Sequence, residues 1–314
     1  MTQEKKYTFT RKDVPILKMT SAGSQDFEQD LFTSLKDWGF LVIEDHGVDL
    51  ALLEKCYAIS REFFNQPLDV KNEISFFEQD QRQYSNVGYF QFQSETAVSS
   101  KLADIKEFFH IGADITTDHP LAEVCVPNKW PANMPEFERD FKELYRQLSA
   151  MTDQLFFTIT DALGLPKEYT RELVENGNHI LRSIHYPPIQ TDQNPAKWAA
   201  QHTGIQLLGV QPRTSHPGLE FSVPDGRWFY ADDDFSDALF INIGEMLAWL
   251  TQGQVKPTLH RVESDNSNPV DRYAIVFFYH ANPLRQLQQK NGKEEPIQVG
   301  EWLRIRLKEL GLVD

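Results

Sequence analysis

Residues 202–230 read HTGIQLLGVQPRTSHPGLEFSVPDGRWFY. Three short apolar stretches fall inside this segment, at 205–210, 219–223 and 227–230. Asp225-Gly226, between the last two, is a strong hairpin signal, because both residue types tolerate the left-handed backbone of a two-residue turn. Working outward, a similar stretch precedes the segment at 180–186, and others follow at 238–243, 258–262 and 273–279. Short strands at such regular spacing, punctuated by turn residues, predict a sandwich or a barrel. One helix interrupts them over 245–252 and stops at Gly253, and a final helix is expected over 299–312.

Toward the N-terminus the apolar period becomes helical. Val14-Pro15-Ile16 reads as a short edge strand. Phe27, Leu31 and Leu35 then share one helical face, with Gly39 as the stop, and 40–43 is a short apolar strand ended by Asp45-His46-Gly47. A helix over 51–65 carries Leu52, Leu53, Cys56, Ile59 and Phe63 on one side, and Pro67 ends it. Residues 71–100 are polar, Gln-rich and aromatic, and read as a long, partly irregular segment; within them, 84–92 is either a pocket wall or, more simply, a buried aromatic cluster. A strand over 104–112 and helices over 134–163 and 167–175 complete the pattern.

The 314 residues carry 31 Lys and Arg against 46 Asp and Glu, a net charge of −15. That balance disfavours nucleic acid and anionic membrane as partners, since both need a basic face. Any anionic ligand must therefore be held by a few local cations. Two cysteines, Cys56 and Cys125, make no disulfide framework and fit a reducing compartment. Residues 1–13 are polar, and no run approaches the ~20 apolar residues that span a bilayer, so a cytoplasmic protein is expected.

Of the nine histidines, His46, His119 and His280 sit beside turn residues and read as structural. His202 and His260 each end a strand-like segment in the β region, where distant positions can meet, and neutral imidazole is a common ligand for iron, copper or zinc. On spacing alone, two structural histidines remain the plainer reading. The surrounding order changes that weighting. His185-Tyr186-Pro187-Pro188 precedes His202; Gly218-Leu219-Glu220, Asp225-Gly226-Arg227-Trp228, Asn242-Ile243-Gly244-Glu245-Met246-Leu247, Thr258-Leu259-His260-Arg261-Val262 and Arg272-Tyr273 follow it. Upstream stand Asp37-Trp38-Gly39-Phe40, Asp45-His46-Gly47-Val48, Gly88-Tyr89 and Asp104-Ile105-Lys106-Glu107-Phe108. This ordered series closely resembles the isopenicillin-N-synthase-like superfamily of Fe(II)/2-oxoglutarate-dependent dioxygenases, and the resemblance covers most of the chain.

The resemblance implies an α+β fold: a double-stranded β-helix (jelly-roll) core with an N-terminal α/β appendage and flanking helices. The expected division is an N-terminal dioxygenase-type region at 1–120, linking helices at 121–175, the jelly-roll core at 176–285 and a C-terminal helix at 286–314. It also implies Fe(II) on His202 and His260, with 2-oxoglutarate anchored by Arg272 and Tyr186, and a small-molecule substrate whose identity and pocket the sequence does not name. Two departures stand out. The family's His-x-Asp places a metal-binding aspartate at position 204, where this chain reads His202-Thr203-Gly204. The family's Arg-x-Ser is Arg272-Tyr273-Ala274 here, a lost hydroxyl that costs about 1–3 kcal/mol as a bond to a charged acceptor.

Three readings of Gly204 follow. An exogenous anion such as chloride fills the position, as the resemblance implies for halogenases of this family. Alternatively, water or a displaced carboxylate fills it and C–H oxidation with succinate release continues; Glu220, Asp232, Asp233 and Asp234 lie near in sequence but read as solvated loop or strand residues. In the third, the roll is a catalytically degenerate binding protein. Oxidation of a small molecule is the leading reading, and the oligomeric state is not legible.

Overall fold

The computed structural model describes residues 6–7, 10–76, 82–84, 87–92, 94, 104–189, 198–230, 235–263 and 270–309. The N-terminal region contributes β1 (Lys6–Tyr7), β2 (Ile16–Lys18), α1 (Gln25–Thr33), β3 (Phe40–Glu44), α2 (Leu50–Phe64), α3 (Leu68–Asn72), β4 (Gly88–Phe90) and β5 (Glu107–Ile111). Two helices follow, α4 (Pro135–Ala162) and α5 (Lys167–Val174). The β region holds β6 (Ile180–Tyr186), β7 (Ala199–His202), β8 (Leu208–Pro212), β9 (Leu219–Ser222), β10 (Trp228–Tyr230), β11 (Leu239–Ile243), α6 (Glu245–Leu250), β12 (His260–Val262) and β13 (Arg272–Tyr279). A small hairpin, β14 (Gln286–Leu287) with β15 (Ile297–Gln298), leads into α7 (Val299–Glu309).

Among the described residues the major sheet runs β2-β3-β11-β8-β13-β6-β5-β4, and the minor sheet runs β1-β10-β9-β12-β7. The two face each other as the walls of the roll. The N-terminal region joins the core by hydrogen bonding: β2 and β3 extend one edge of the major sheet, and β4 and β5 extend the other.

Strand alternation sorts the side chains. On β11, Phe240 points into the roll and Ile241 and Ile243 point out. The inner layer packs Phe40, Phe108, Tyr186, Phe221, Phe240 and Val276, with Phe40 stacked on Phe221 from the opposite sheet at 4.9 Å between ring centroids. The outer layer is covered by helices. α4 buries Phe137, Phe141, Leu144, Leu148, Met151, Leu155 and Ile159, a recurrence of three to four residues that makes one continuous apolar stripe. Pro135 opens that helix where a missing N–H costs nothing. Cys56 on α2 is packed in the same layer, where burial pushes its thiol up to about 12, so it is an inert core residue.

The expected helices at 51–65, 134–163 and 167–175 form as α2, α4 and α5, within a residue or so at each end. Four short strands escaped the reading: β1, β4, β14 and β15. β7, the strand-like segment expected to end at His202, is a short edge strand whose burial falls off toward that residue. β4 lies inside the stretch taken as irregular, because its neighbours are polar; Tyr89 and Phe90 within it are buried, as the cluster reading has it. The strand expected at 205–210 begins only at Leu208, because the chain turns through Gly204 and Gln206 first. The end of the last helix, 310–312, lies outside the described residues.

Behind the major sheet, His179 is buried and His280 half-buried, both without charge. Burial pushes His179 down to about 3, helped by His280, and pushes His280 down to about 4, helped by Arg182. His179 Nδ1 accepts from the His280 backbone N–H at 3.0 Å, and its ring stacks on Tyr279 at 4.3 Å. Because the folded values lie below the unfolded one, the unfolded chain takes up protons first. The stabilisation is complete above about pH 6.5 and is lost as pH falls toward 4, at up to about 1.4 kcal/mol per pH unit for each histidine. Urea unfolding between pH 7 and 4.5 should show this slope. His179→Gln keeps an acceptor for the His280 N–H and should flatten it by about one proton.

Candidate active site

The minor sheet brings the two singled-out histidines together. β12 runs antiparallel to β7 with His260 directly opposite His202, and the ring centroids are 4.3 Å apart. Each ring is oriented by its own strand. His260 Nδ1 lies 3.0 Å from the Thr258 carbonyl oxygen, and His202 Nδ1 lies 2.8 Å from that of Ala200. A carbonyl only accepts, so each Nδ1 donates to it and carries a proton, which leaves the Nε2 of the neutral His260 ring with the lone pair that a metal takes. Burial pushes His260 down to about 3, and the neighbouring His202 and Lys106 push in the same direction against the Thr258 bond. The buried ring is therefore neutral, the form that binds a metal. Among the described residues no group of three or more His, Cys, Asp or Glu is placed to hold a metal ion.

Gly204 follows in the turn after β7. Its carbonyl accepts from the Glu245 N–H at 2.8 Å, and the Gly244 N–H donates to Leu207 O at 3.0 Å, which seats the turn on the start of α6. A Cβ at Gly244 would collide with the Gln206 backbone, so that position requires glycine. A Cβ at Gly204 would overlap the Gln206 carboxamide, which is buried beside it.

Glu220 corrects an expectation. It is not solvated: it is 1% exposed on β9 and accepts from Arg261 Nε at 2.8 Å. Its register partner is Arg261, whose guanidinium lies 3.8 Å over the Trp228 ring. Arg261 adjoins His260 and points to the opposite face, so Glu220 is turned away from the histidines. Asp232, Asp233 and Asp234 lie outside the described residues.

Arg272 opens β13 opposite Tyr186 on β6, on the inner face shared with Ala274 and Val276. It is 1% exposed. Its Nε donates to the His216 carbonyl at 3.0 Å, and its guanidinium carbon lies 5.0 Å from the Tyr186 ring and 5.9 Å from that of Trp198. Its Nη1 is buried with no partner among the described residues. A desolvated cation with an unmet N–H directed inward is incomplete until a carboxylate-like group meets it. No single sequence signal pointed to Trp198. Lys106 stood in the quoted Asp104–Phe108 motif without a role; it is buried, bonded to Asp104 at 2.8 Å, and close enough to His260 to disfavour its proton.

Behind Arg272 and Tyr186, on the other face of the major sheet, lies a buried polar network. Glu107 on β5 accepts from Lys71 Nζ at 2.8 Å and from the Tyr89 hydroxyl at 2.5 Å, and faces His185 Nδ1 at 2.8 Å. His185 Nε2 faces Asp271 at 2.7 Å, and its ring lies flat on Tyr273 at 4.9 Å. Burial alone would raise the Glu107 carboxyl, but the bonds from His185, Lys71 and Tyr89 outweigh it and hold it below the usual range. The network ties α3, β4, β5 and β6 to the residue before Arg272.

The chain matches known proteins along most of its length. The family described as 2OG-Fe(II) oxygenase superfamily matches residues 177–281, and the one described as non-haem dioxygenase in morphine synthesis N-terminal matches residues 14–133. The clavatol oxidase claD of Penicillium crustosum is 28% identical over 316 residues, covering 91% of both chains. The 2-oxoglutarate-dependent dioxygenase citB of Monascus ruber is 28% identical over 293 residues, covering 87% of this chain and 86% of its own. A crystallised 2OG-Fe(II) oxygenase family protein of Caulobacter crescentus superposes with a TM-score of 0.81 at 28% identity, over 96% of this chain and 99% of its own. A full-length Neurospora crassa protein, solved in complex with alpha-KG, shares the fold at a TM-score of 0.79 and 22% identity, over 94% of this chain and 96% of its own. The chain belongs to the isopenicillin-N-synthase-like Fe(II)/2-oxoglutarate oxygenase superfamily and is a dioxygenase-like oxidoreductase. Membership implies Fe(II) and 2-oxoglutarate.

Removing one partner of the buried Lys71–Glu107 pair strands a charge. Lys71→Met should cost about 3–5 kcal/mol in urea unfolding at pH 7. Adding Glu107→Gln to it should recover part of that loss, because the uncompensated carboxylate is then gone.

Proposed function

We propose that the protein oxidises a small molecule with Fe(II) held by the Nε2 atoms of His202 and His260, and with 2-oxoglutarate held by Arg272. The observation that carries this reading is the pair of facing imidazoles, each with Nδ1 directed at a backbone carbonyl of its own segment. When bound, Fe(II) and 2-oxoglutarate supply C–H oxidation by dioxygen with loss of carbon dioxide and formation of succinate. The chain's residues do the rest. The Arg272 guanidinium receives the distal carboxylate of 2-oxoglutarate and completes its own buried Nη1, over the ring of Tyr186. Ala274 offers no hydroxyl there, which weakens the anchor without removing it. Phe40, Phe221 and Phe240 keep water from the floor of the roll beside His260. In a chain of net charge −15, Arg272 supplies the local positive charge that an anionic co-substrate needs, since Lys106 is already paired with Asp104.

Without a carboxylate at position 204, two neutral imidazoles bind iron weakly, and a dianionic co-substrate restores part of the affinity by linkage. Chloride at that position, as in a halogenase, has no supporting observation, since the Gln206 carboxamide lies against Gly204. Anaerobic Fe(II) titration should give binding at least about tenfold tighter with 2-oxoglutarate than without it. Equal affinity in both would count against the reading. Arg272→Met should abolish the difference, weakening 2-oxoglutarate on the order of 100-fold through the loss of charge-assisted bonds. Succinate released under oxygen distinguishes an enzyme from a non-catalytic binder.

A further inference from the structure

The Gln206 side chain lies in a slot between two glycines. On one side, its whole carboxamide occupies the place of a Cβ on Gly204. On the other, its Nε2 would lie 2.9 Å from a Cβ on Gly209, and Asn242 Nδ2 would lie 3.0 Å from the same point. Any larger residue at either position would expel the amide. The slot is also expensive: Gln206 is 2% exposed, and both its Nε2 and Asn242 Nδ2 are buried without an acceptor among the described residues. An unpaired buried donor costs about 1–3 kcal/mol. The surrounding turn nevertheless holds the amide in place, pinned by Gly204 O to Glu245 N, Leu207 O to Gly244 N and Leu207 N to Tyr279 O. Asn242 shares the inner face of β11 with Phe240, and Gly209 is its register partner, so the amide lies inside the roll, where Phe221 packs against both Phe240 and His260; Gly204, whose side-chain place it fills, is two residues along the chain from His202. The amide is therefore a filler on the flank of the His202–His260 pair.

We propose that Gln206 determines what binds beside His202 and His260: its carboxamide, wedged between Gly204 and Gly209, takes the space next to the pair and shuts out small anions such as halides. This inference rests on the reading of the pair as a metal site. It deepens that reading by assigning the flank a neutral, resident group. A metal there keeps a net positive charge that only the co-substrate neutralises, and free anions do not compete.

Cobalt(II), added without oxygen or 2-oxoglutarate, is the probe, because its visible spectrum reports its ligands directly. The wild-type spectrum should be unchanged by chloride up to high concentration, against sulfate at matched ionic strength. Gln206→Ala, which opens the slot, should gain a saturable chloride-dependent change. Gln206→Glu keeps the shape and adds a carboxylate, and should tighten cobalt(II) binding by about tenfold or more in competition with a chelator. A wild-type spectrum that responds to chloride as Gln206→Ala does overturns the inference while leaving the metal site intact. So does a folded, cobalt-binding Gln206→Ala that ignores chloride, or a Gln206→Glu that binds no more tightly than wild type. A spectrum that His202→Ala leaves unchanged overturns the metal-site reading itself, and the inference with it.

Discussion

One cross-strand pair organises this molecule: His260 directly opposite His202 on the minor sheet. The β12–β7 register shifts between His260 and Val262, but at the histidine pair itself a slip of one residue would turn each ring to the other face. What holds the register is the rest of β12. Its next residue, Arg261, is buried in an ion pair with Glu220 on β9 and lies over Trp228 on β10. Moving β12 by one position would bury an uncompensated charge on one face and expose an imidazole on the other. The Arg261–Glu220 pair thus specifies the site from behind without touching it.

The second support comes from the N-terminal region. Its strands lengthen both edges of the major sheet, and its Lys71, Tyr89 and Glu107 reach the back of the strands that carry Tyr186 and Arg272. His185 and Asp271 alternate with those two residues, so one face of β6 and β13 is clamped by a charge network while the other presents a cation to the interior. A buried guanidinium with an unmet N–H is tolerable only on a backbone that cannot relax to satisfy it, and the network supplies that rigidity.

The departures from the superfamily's pattern act together. With no side chain at Gly204 or Gly209, the neutral Gln206 carboxamide takes the room between them. Ala274 removes a hydroxyl beside Arg272. Both changes lower the negative charge and hydrogen bonding available to ligands inside the roll. Under the proposed function, they leave Arg272 and the two imidazoles as the groups that meet the co-substrate and the metal.

A sandwich or barrel after a helical N-terminal region was legible in the residues alone, through the switch from helical apolar spacing to short apolar stretches separated by turn residues; the α+β jelly roll itself was implied by the order of the motifs. The order of the flanking motifs singled out His202, His260, Arg272 and Tyr186, and a glycine at position 204 was enough to show that no side chain ligates from there. The remaining features are tertiary, because each depends on residues far apart in the chain. The two histidines belong to separate strands, and only the pairing of those strands sets their rings face to face. Glu220 reads as solvated until Arg261 is seen across the sheet. Gln206 is an ordinary polar residue in the sequence; it is buried inside the roll only because two glycines, one on each side, make a slot that a glutamine amide fills.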